Sequence, residues 1–443
     1  MSTTAEVRLW GTTIGAVTLE DGQKTAVFEY DHEFLSSGIE LSPIMMPLKG
    51  GVYRFPELPY ESFHGLPGML ADSLPDKFGN KLIDVWLSNQ NRLPESFNAI
   101  ERLCYTGRRG MGALEYYPVL SQENNRAEEI NVSQLVELAS IVLSNRKNLK
   151  VVFNECDKRN LSSSLQKIIS LGTSAGGARA KAVIALNPKT EEVRSGQIEA
   201  GSGFEYWLIK FSGVKNNKDK EEDDSADYGM IEYAYYLMAC ECGIQMMPCR
   251  LLDDGTNRHF MTKRFDRTQD GKKLHMQSLA ALGHFDFNYL GSASYEQAFT
   301  IMNVLRLGHR DKCNMFRRMI FNVLACNCDD HVKNISFLMD RAGKWSLAPA
   351  YDVMFAYNPK GLWTSAHQMT INGKREKFNQ NDFDNCAKLA GLTKAEKKEA
   401  FEIVSNVVNH WKDFAQKAGV SEERFTAIEQ IAQKNAGELL SNV

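Results

Sequence analysis

Cys328-Asp329-Asp330-His331-Val332-Lys333-Asn334 lies between an apolar helical run, Phe321-Asn322-Val323-Leu324-Ala325, and a hairpin signal, and Asp352 follows Asn334 by eighteen residues. No other stretch constrains the chain so much. Carboxylates beside buried apolar sequence are costly unless a metal or other partners compensate them. Asn334 and Asp352 would bring hard oxygen donors of the kind magnesium prefers. Asp329, five residues before Asn334, has the chemistry to orient a hydroxyl and accept its proton. The trio points to chemistry on metal-bound phosphates.

Protein kinases place an Asp, an Asn and a later Asp in this order. The organisation of the chain agrees with that order. At 443 residues it is too long for one core and divides into two or three domains. Residues 7–19 alternate in part, Asp21-Gly22 signals a turn, and residues 25–34 complete a hairpin start. A helix over 77–87 follows Ser73-Leu74-Pro75-Asp76. Residues 122–129 read as a polar linker, 132–143 as a helix, and 215–227 as a charged surface loop. From about residue 294 the spacing predicts helices over 295–307, 313–326, 381–390, 394–411 and 422–440. A hairpin over 335–347, turning at Asp340-Arg341-Ala342-Gly343, interrupts them. The expected fold is α+β: two lobes, protein-kinase-like, with a β-containing N-terminal lobe and a mainly α-helical C-terminal lobe. The expected domains are 1–120, an α+β subdomain; 121–268, an ATP-binding lobe core; and 269–443, the helical lobe with the catalytic residues.

Other segments could meet a nucleotide. Residues 171–181 are rich in Gly and Ala, letting backbone amides approach phosphate, although the stretch alone reads more readily as an ordinary turn. Lys210 lies in the strand-like Tyr206-Trp207-Leu208-Ile209-Lys210-Phe211, and Glu232 on the next helix is its natural partner. Lys263-Arg264-Phe265-Asp266 precedes the helical half, where a hinge to adenine and ribose belongs, although Arg264 and Asp266 also read as a local salt bridge.

Competing chemistries lack their signatures. Neither GxxxxGK[ST] nor HExxH is present, and His309 and His331 have no second-ligand spacing. The nine cysteines are scattered and read as reduced thiols. A net charge of −3 gives no bulk drive towards nucleic acid. No apolar run reaches the roughly 20 residues of a membrane span, and Met1-Ser2-Thr3-Thr4-Ala5-Glu6 is unlike a secretory signal, so a cytoplasmic protein with no membrane partner is expected.

Taken together, these residues resemble the HipA family of bacterial serine/threonine kinase toxins. The Asp329–Asn334 motif with Ala350-Tyr351-Asp352 carries the resemblance, supported by Leu66-Pro67-Gly68-Met69-Leu70-Ala71-Asp72-Ser73-Leu74-Pro75 near the N-terminus. The resemblance implies an ATP- and Mg2+-dependent kinase with Asp329 as catalytic base and Asn334 and Asp352 as metal ligands. It implies ATP contacts from Gly176, Gly177, Ala178, Arg179, Ala180, Lys181, Lys210, Lys263, Phe265, Asp266, His331, Lys333 and Tyr351. Ser174 would be the autophosphorylated serine, whose added charge of about −1.5 to −2 would fall where ATP phosphates sit. The implied partners are a protein substrate such as an aminoacyl-tRNA synthetase, and a small helix-turn-helix antitoxin that brings DNA. Arg179, Ala180 and Lys263 depart from the family pattern. A nucleotide-binding pseudokinase acting as a corepressor, or a small-molecule kinase, remains the alternative.

Overall fold

Period-two alternation builds the first sheet. In the computed structural model, which describes residues 2–120, 136, 180–197, 200–213, 227–268 and 271–441, Ala5, Val7 and Leu9 are buried while the residues between them are partly exposed. β1 (Thr3–Leu9) and β2 (Thr12–Leu19) are joined by Trp10 and Gly11, both at positive φ. The alternating run over 7–19 is therefore two strands. Trp-Gly lacks the Asn or Asp that usually marks such a turn, so the break was not predicted. Asp21-Gly22 lies in the expected turn before β3 (Val27–Tyr30), and β4 (Val52–Tyr53) and β5 (Leu114–Tyr117) complete an antiparallel sheet in the order β4-β3-β2-β1-β5.

Helices α1 (Tyr60–Phe63), α2 (Gly68–Ala71), α3 (Lys77–Asn89) and α4 (Ala99–Thr106) lie between β4 and β5. Asp76 caps α3, accepting the Gly79 N–H at 2.6 Å. A second sheet follows, of β6 (Lys181–Leu186), β7 (Val193–Ser195), β8 (Glu205–Lys210), β9 (Cys249–Asp253) and β10 (Arg258–Lys263), ordered β7-β6-β8-β10-β9. Helix α5 (Tyr228–Glu241) connects β8 to β9.

The helical half begins after β11 (His275–Ser278), with α6 (Leu279–Gly283), α7 (Tyr295–Val304) and α8 (His309–Leu324). The predicted hairpin is β12 (Ser336–Met339) and β13 (Trp345–Leu347), and β11 adds a third strand to it. Helices α9 (Asp384–Ala390), α10 (Lys394–Asn409), α11 (Trp411–Ala418) and α12 (Glu422–Ser441) follow. The helix expected over 394–411 ends at Asn409, because the chain turns at His410 to bury Trp411, whose Nε1 donates to Phe425 O at 3.0 Å.

One hydrophobic core runs from Ala5 to Ala432, joining the first sheet to the helical half, and a second packs α3 and α4 against the sheet of β6–β10. No described helix is long and apolar enough to cross a membrane. Residues 122–129 and 132–143 lie outside the described residues, Val136 apart, as do 215–226 of the charged loop.

Candidate active site

Lys210 ends β8, which pairs with β6 on one side and β10 on the other. Its Nζ donates to Glu232 Oε1 at 2.5 Å and to Asp352 Oδ1 at 2.5 Å. Glu232 comes from α5 and Asp352 from the loop after β13, so one ammonium ties together three separate segments. Lys210 and Glu232 are buried, whereas the Asp352 side chain keeps 26% of its exposure. Burial alone would raise the Asp352 pKa, but Lys210 and then Lys181 overcome it and hold the carboxyl well below the usual range. Asp352 is at φ 56, a strained conformation that persists only where its surroundings impose it.

Asp329 faces this group. Its side chain is 44% exposed on the open side and packed by protein elsewhere. Gln368 Nε2 donates to Asp329 Oδ1 at 2.5 Å, and His331 Nε2 lies 3.8 Å from the same oxygen. Burial, then the charges of Asp352 and Asp330, raise the Asp329 pKa, while His331 and Lys210 oppose the shift. Asn334 Nδ2 donates to Asp329 O at 2.9 Å, which leaves the amide oxygen as its acceptor end. Asn334 and Asp352 thus provide the hard oxygen donors that fit magnesium. His331 Nδ1 is a buried nitrogen with no hydrogen-bond partner among the described residues.

The two adjacent aspartates have different surroundings. Asp330 is buried and accepts from Tyr295 OH at 2.8 Å, His367 Nδ1 at 3.0 Å and the Gln368 N–H at 2.8 Å. Asn322 donates to Tyr295 OH at 3.0 Å, and Asn327 to Asn322 Oδ1 at 2.9 Å, extending the network beneath the loop. Burial disfavours a charged His367, but Cys328 and Asp330 raise its pKa well above the ordinary value. Tyr295, His367 and Gln368 were not picked out from sequence, since no local motif marks them.

Two further carboxylates come from the N-terminal unit. Lys333 Nζ donates to Asp72 Oδ1 at 2.7 Å, and Asp72 also receives the Ser278 N–H at 2.6 Å and hydroxyl at 2.8 Å. Lys181, beside Lys210 across β6 and β8, lies with its Nζ 3.2 Å from Asp76 Oδ2. Lys333 and Lys181, two of the four lysines expected to meet ATP, are thus each paired with an acid from residues 72–76. Ala180 is buried, and its carbonyl accepts from the Phe211 N–H at 3.0 Å.

At the expected hinge, Lys263 and Arg264 donate their N–H groups to Pro248 O and Tyr206 O, and Lys263 Nζ pairs with Glu205 at 2.8 Å. Phe265 packs on Tyr351 with ring centroids 5.4 Å apart, and Tyr351 OH donates to Lys333 O at 2.6 Å. Asp266 corrects the ribose expectation. It is fully buried, and its oxygens take Arg264 Nε at 2.9 Å, Arg267 at 2.7 Å and the Gly112 N–H at 2.8 Å, so it braces the N-terminal unit against the hinge. Ser174, Gly176, Gly177, Ala178 and Arg179 lie outside the described residues.

Residues 173–436 match the family model described as HipA-like C-terminal domain, well over half of the chain. The chain belongs to the HipA family. A second model, the HipA N-terminal domain, matches residues 5–117. Among solved structures, HipA of Shewanella oneidensis MR-1, seen in a toxin–antitoxin complex with HipB and operator DNA, aligns with a TM-score of 0.66 at 16% identity. That match covers 99% of this chain and 97% of that one, and establishes the fold as that of HipA. The Helicobacter pylori proinflammatory kinase CtkA aligns with a TM-score of 0.35 at 13% identity, covering 54% of this chain and 88% of that chain. No curated protein matched the chain. The kinase-like α+β fold expected from the Asp-Asn-Asp order is the fold of this HipA-family chain.

Proposed function

We propose that this HipA-family chain is an ATP- and Mg2+-dependent serine/threonine-protein kinase. It acts as the toxin of a toxin–antitoxin module on a translation component such as an aminoacyl-tRNA synthetase. The observation that carries this reading is the Lys210 ammonium held between Glu232 and Asp352, beside Asp329. A strand lysine fixed by a helix glutamate is how kinases position ATP phosphates.

In this reading Asp329, oriented by Gln368, accepts the proton of the substrate hydroxyl as its oxygen bonds to the γ-phosphorus. The bond to the β–γ bridging oxygen breaks and ADP leaves. Asn334 and Asp352 would hold the magnesium, which supplies neutralising charge to the phosphates when bound. His331, whose Nδ1 has no partner among the described residues, would border the phosphates. Asp72 and Asp76 position Lys333 and Lys181. Autophosphorylation of Ser174 would put negative charge where ATP phosphates sit, and so stop turnover.

The HipB- and DNA-bound relative supports a small DNA-binding antitoxin as partner, through which DNA is reached. The test is transfer of radiolabelled γ-phosphate from ATP to purified aminoacyl-tRNA synthetases, with Asp329→Asn alongside. Label on Ser or Thr of a synthetase, lost in the variant, is expected. Label confined to small molecules would replace this reading with a small-molecule kinase, and ATP binding without any transfer would replace it with a pseudokinase corepressor.

A further inference from the structure

On the face of the helical half formed by α8 and α10, three ligand-type side chains converge. His309 and Cys313 are four residues apart on α8, so they share one helix face. Cys313 Sγ lies 3.3 Å from His309 Nε2. Glu396, eighty-seven residues further along the chain, brings Oε1 to 2.7 Å from the same nitrogen. All three ligand atoms lie within 4.8 Å of one another.

We propose that His309, Cys313 and Glu396 form a surface site for a zinc-class divalent ion that pins α8 to α10, with water in the fourth position. A tetrahedral Zn2+ with bonds of about 2.3 Å to sulfur and about 2.0–2.1 Å to nitrogen and oxygen separates sulfur from nitrogen by about 3.6 Å and nitrogen from oxygen by about 3.4 Å. The sulfur–nitrogen distance is near that value already, and the oxygen need only exchange its hydrogen bond for a shared metal. Imidazole with thiolate selects a borderline-soft ion over magnesium or calcium, which take oxygen ligands.

The third ligand is preorganised. Glu396 Oε2 is taken by the Thr393 N–H at 2.7 Å and the Thr393 hydroxyl at 2.8 Å, which fixes Oε1 towards His309. These bonds, then His309, hold the Glu396 pKa down to about 2, so it is ionised at neutral pH. Partial burial, then Glu396, raises the Cys313 thiol pKa, with Glu399 adding to the rise and Arg317 opposing it. The acids that disfavour a bare thiolate also favour a dication. On binding, Cys313 loses its proton to solvent as sulfur bonds the metal, and the proton that His309 Nε2 shares with Glu396 moves to solvent or to Nδ1, freeing the Nε2 lone pair for the metal.

The test is Co2+ titration of the full-length, chelator-treated chain, followed by Zn2+. Wild type is expected to gain a thiolate-to-cobalt charge-transfer band in the near ultraviolet and four-coordinate visible bands, both bleached by Zn2+. Cys313→Ser should lose the charge-transfer band, and Zn2+ should raise the Tm of wild type but not of the variant. Equal metal-free Tm values would show that the variant folds, and His309→Gln serves the same comparison if they differ. Absence of the band in wild type, the same band in the variants, or an equal Zn2+ shift in both would overturn the proposal.

Discussion

Asp329 carries the chemistry in this account, and its surroundings make its ionisation measurable. Burial and the nearby Asp352 and Asp330 raise its pKa, so the ionised base that catalysis needs is lost on acidification sooner than for an ordinary carboxylate. His331 lowers that pKa, so His331→Gln removes an opposing influence and lets it rise further. The acid limb of the kcat profile, measured at saturating ATP, should therefore move to higher pH in this variant. A limb that stays put or moves down would contradict the assignment. Asp329→Asn should reduce phosphoryl transfer by about 10²–10⁴-fold with ATP affinity largely kept, as read from single-turnover kinetics and nucleotide titration. The trio and the Lys210–Glu232 pair were legible because they rest on short spacings and on a strand followed by a helix. Asp266 was misread because sequence places it at the hinge without showing that two arginines and an amide saturate it. Asp72 and Asp76 left no signal as lysine partners, since ion pairs between distant segments have no local pattern.

At the scale of elements, the loop that holds Asp329 depends on its buried neighbour. Asp330 links α7 through Tyr295 to the segment carrying His367 and Gln368. Asp330→Ala would strand these donors, and a cost of about 3–5 kcal/mol is expected from urea unfolding. A cost below ~1 kcal/mol would show that the network does not support the loop. Asp72 joins α2 to β11 and Lys333 in the same manner, partly open to solvent. Asp72→Asn should cost about 1–3 kcal/mol in the same assay and raise KM for ATP, whereas an unchanged KM would detach Asp72 from the site. Helix periodicity predicted α3, α8 and α10 closely, because each buries one stripe. It missed the break at His410, which a tertiary demand, the burial of Trp411, imposes. Likewise β11, only His275–Ser278, becomes a strand by pairing with β12, fifty-eight residues away at Ser278↔Ser336, a separation that no short window can see.

Across the whole molecule, the N-terminal unit behaves as part of the site's framework. Its sheet shares one core with the helical half, and Gly68 lies against α6 so closely that an added Cβ would meet Ala281 O at 2.5 Å. The Gly68 N–H donates to His284 Nε2 at 3.0 Å, and burial, pushing the His284 pKa down to about 4, keeps that nitrogen an acceptor. A chain lacking residues 1–117 would expose this core, so it should lose cooperative thermal unfolding by circular dichroism; a truncated chain that unfolds as sharply as the full one would show the two parts to be independent. The two-lobed plan was legible from a β-rich front and a helical back. The shared core was not, because it joins residues hundreds of positions apart. The most direct test of the central claim is peptide mass spectrometry of the dephosphorylated chain after incubation with ATP and Mg2+, beside Asp329→Asn. A new phosphate on Ser174 is expected in wild type and none in the variant. No phosphate on wild type, or equal phosphate on both, would contradict it.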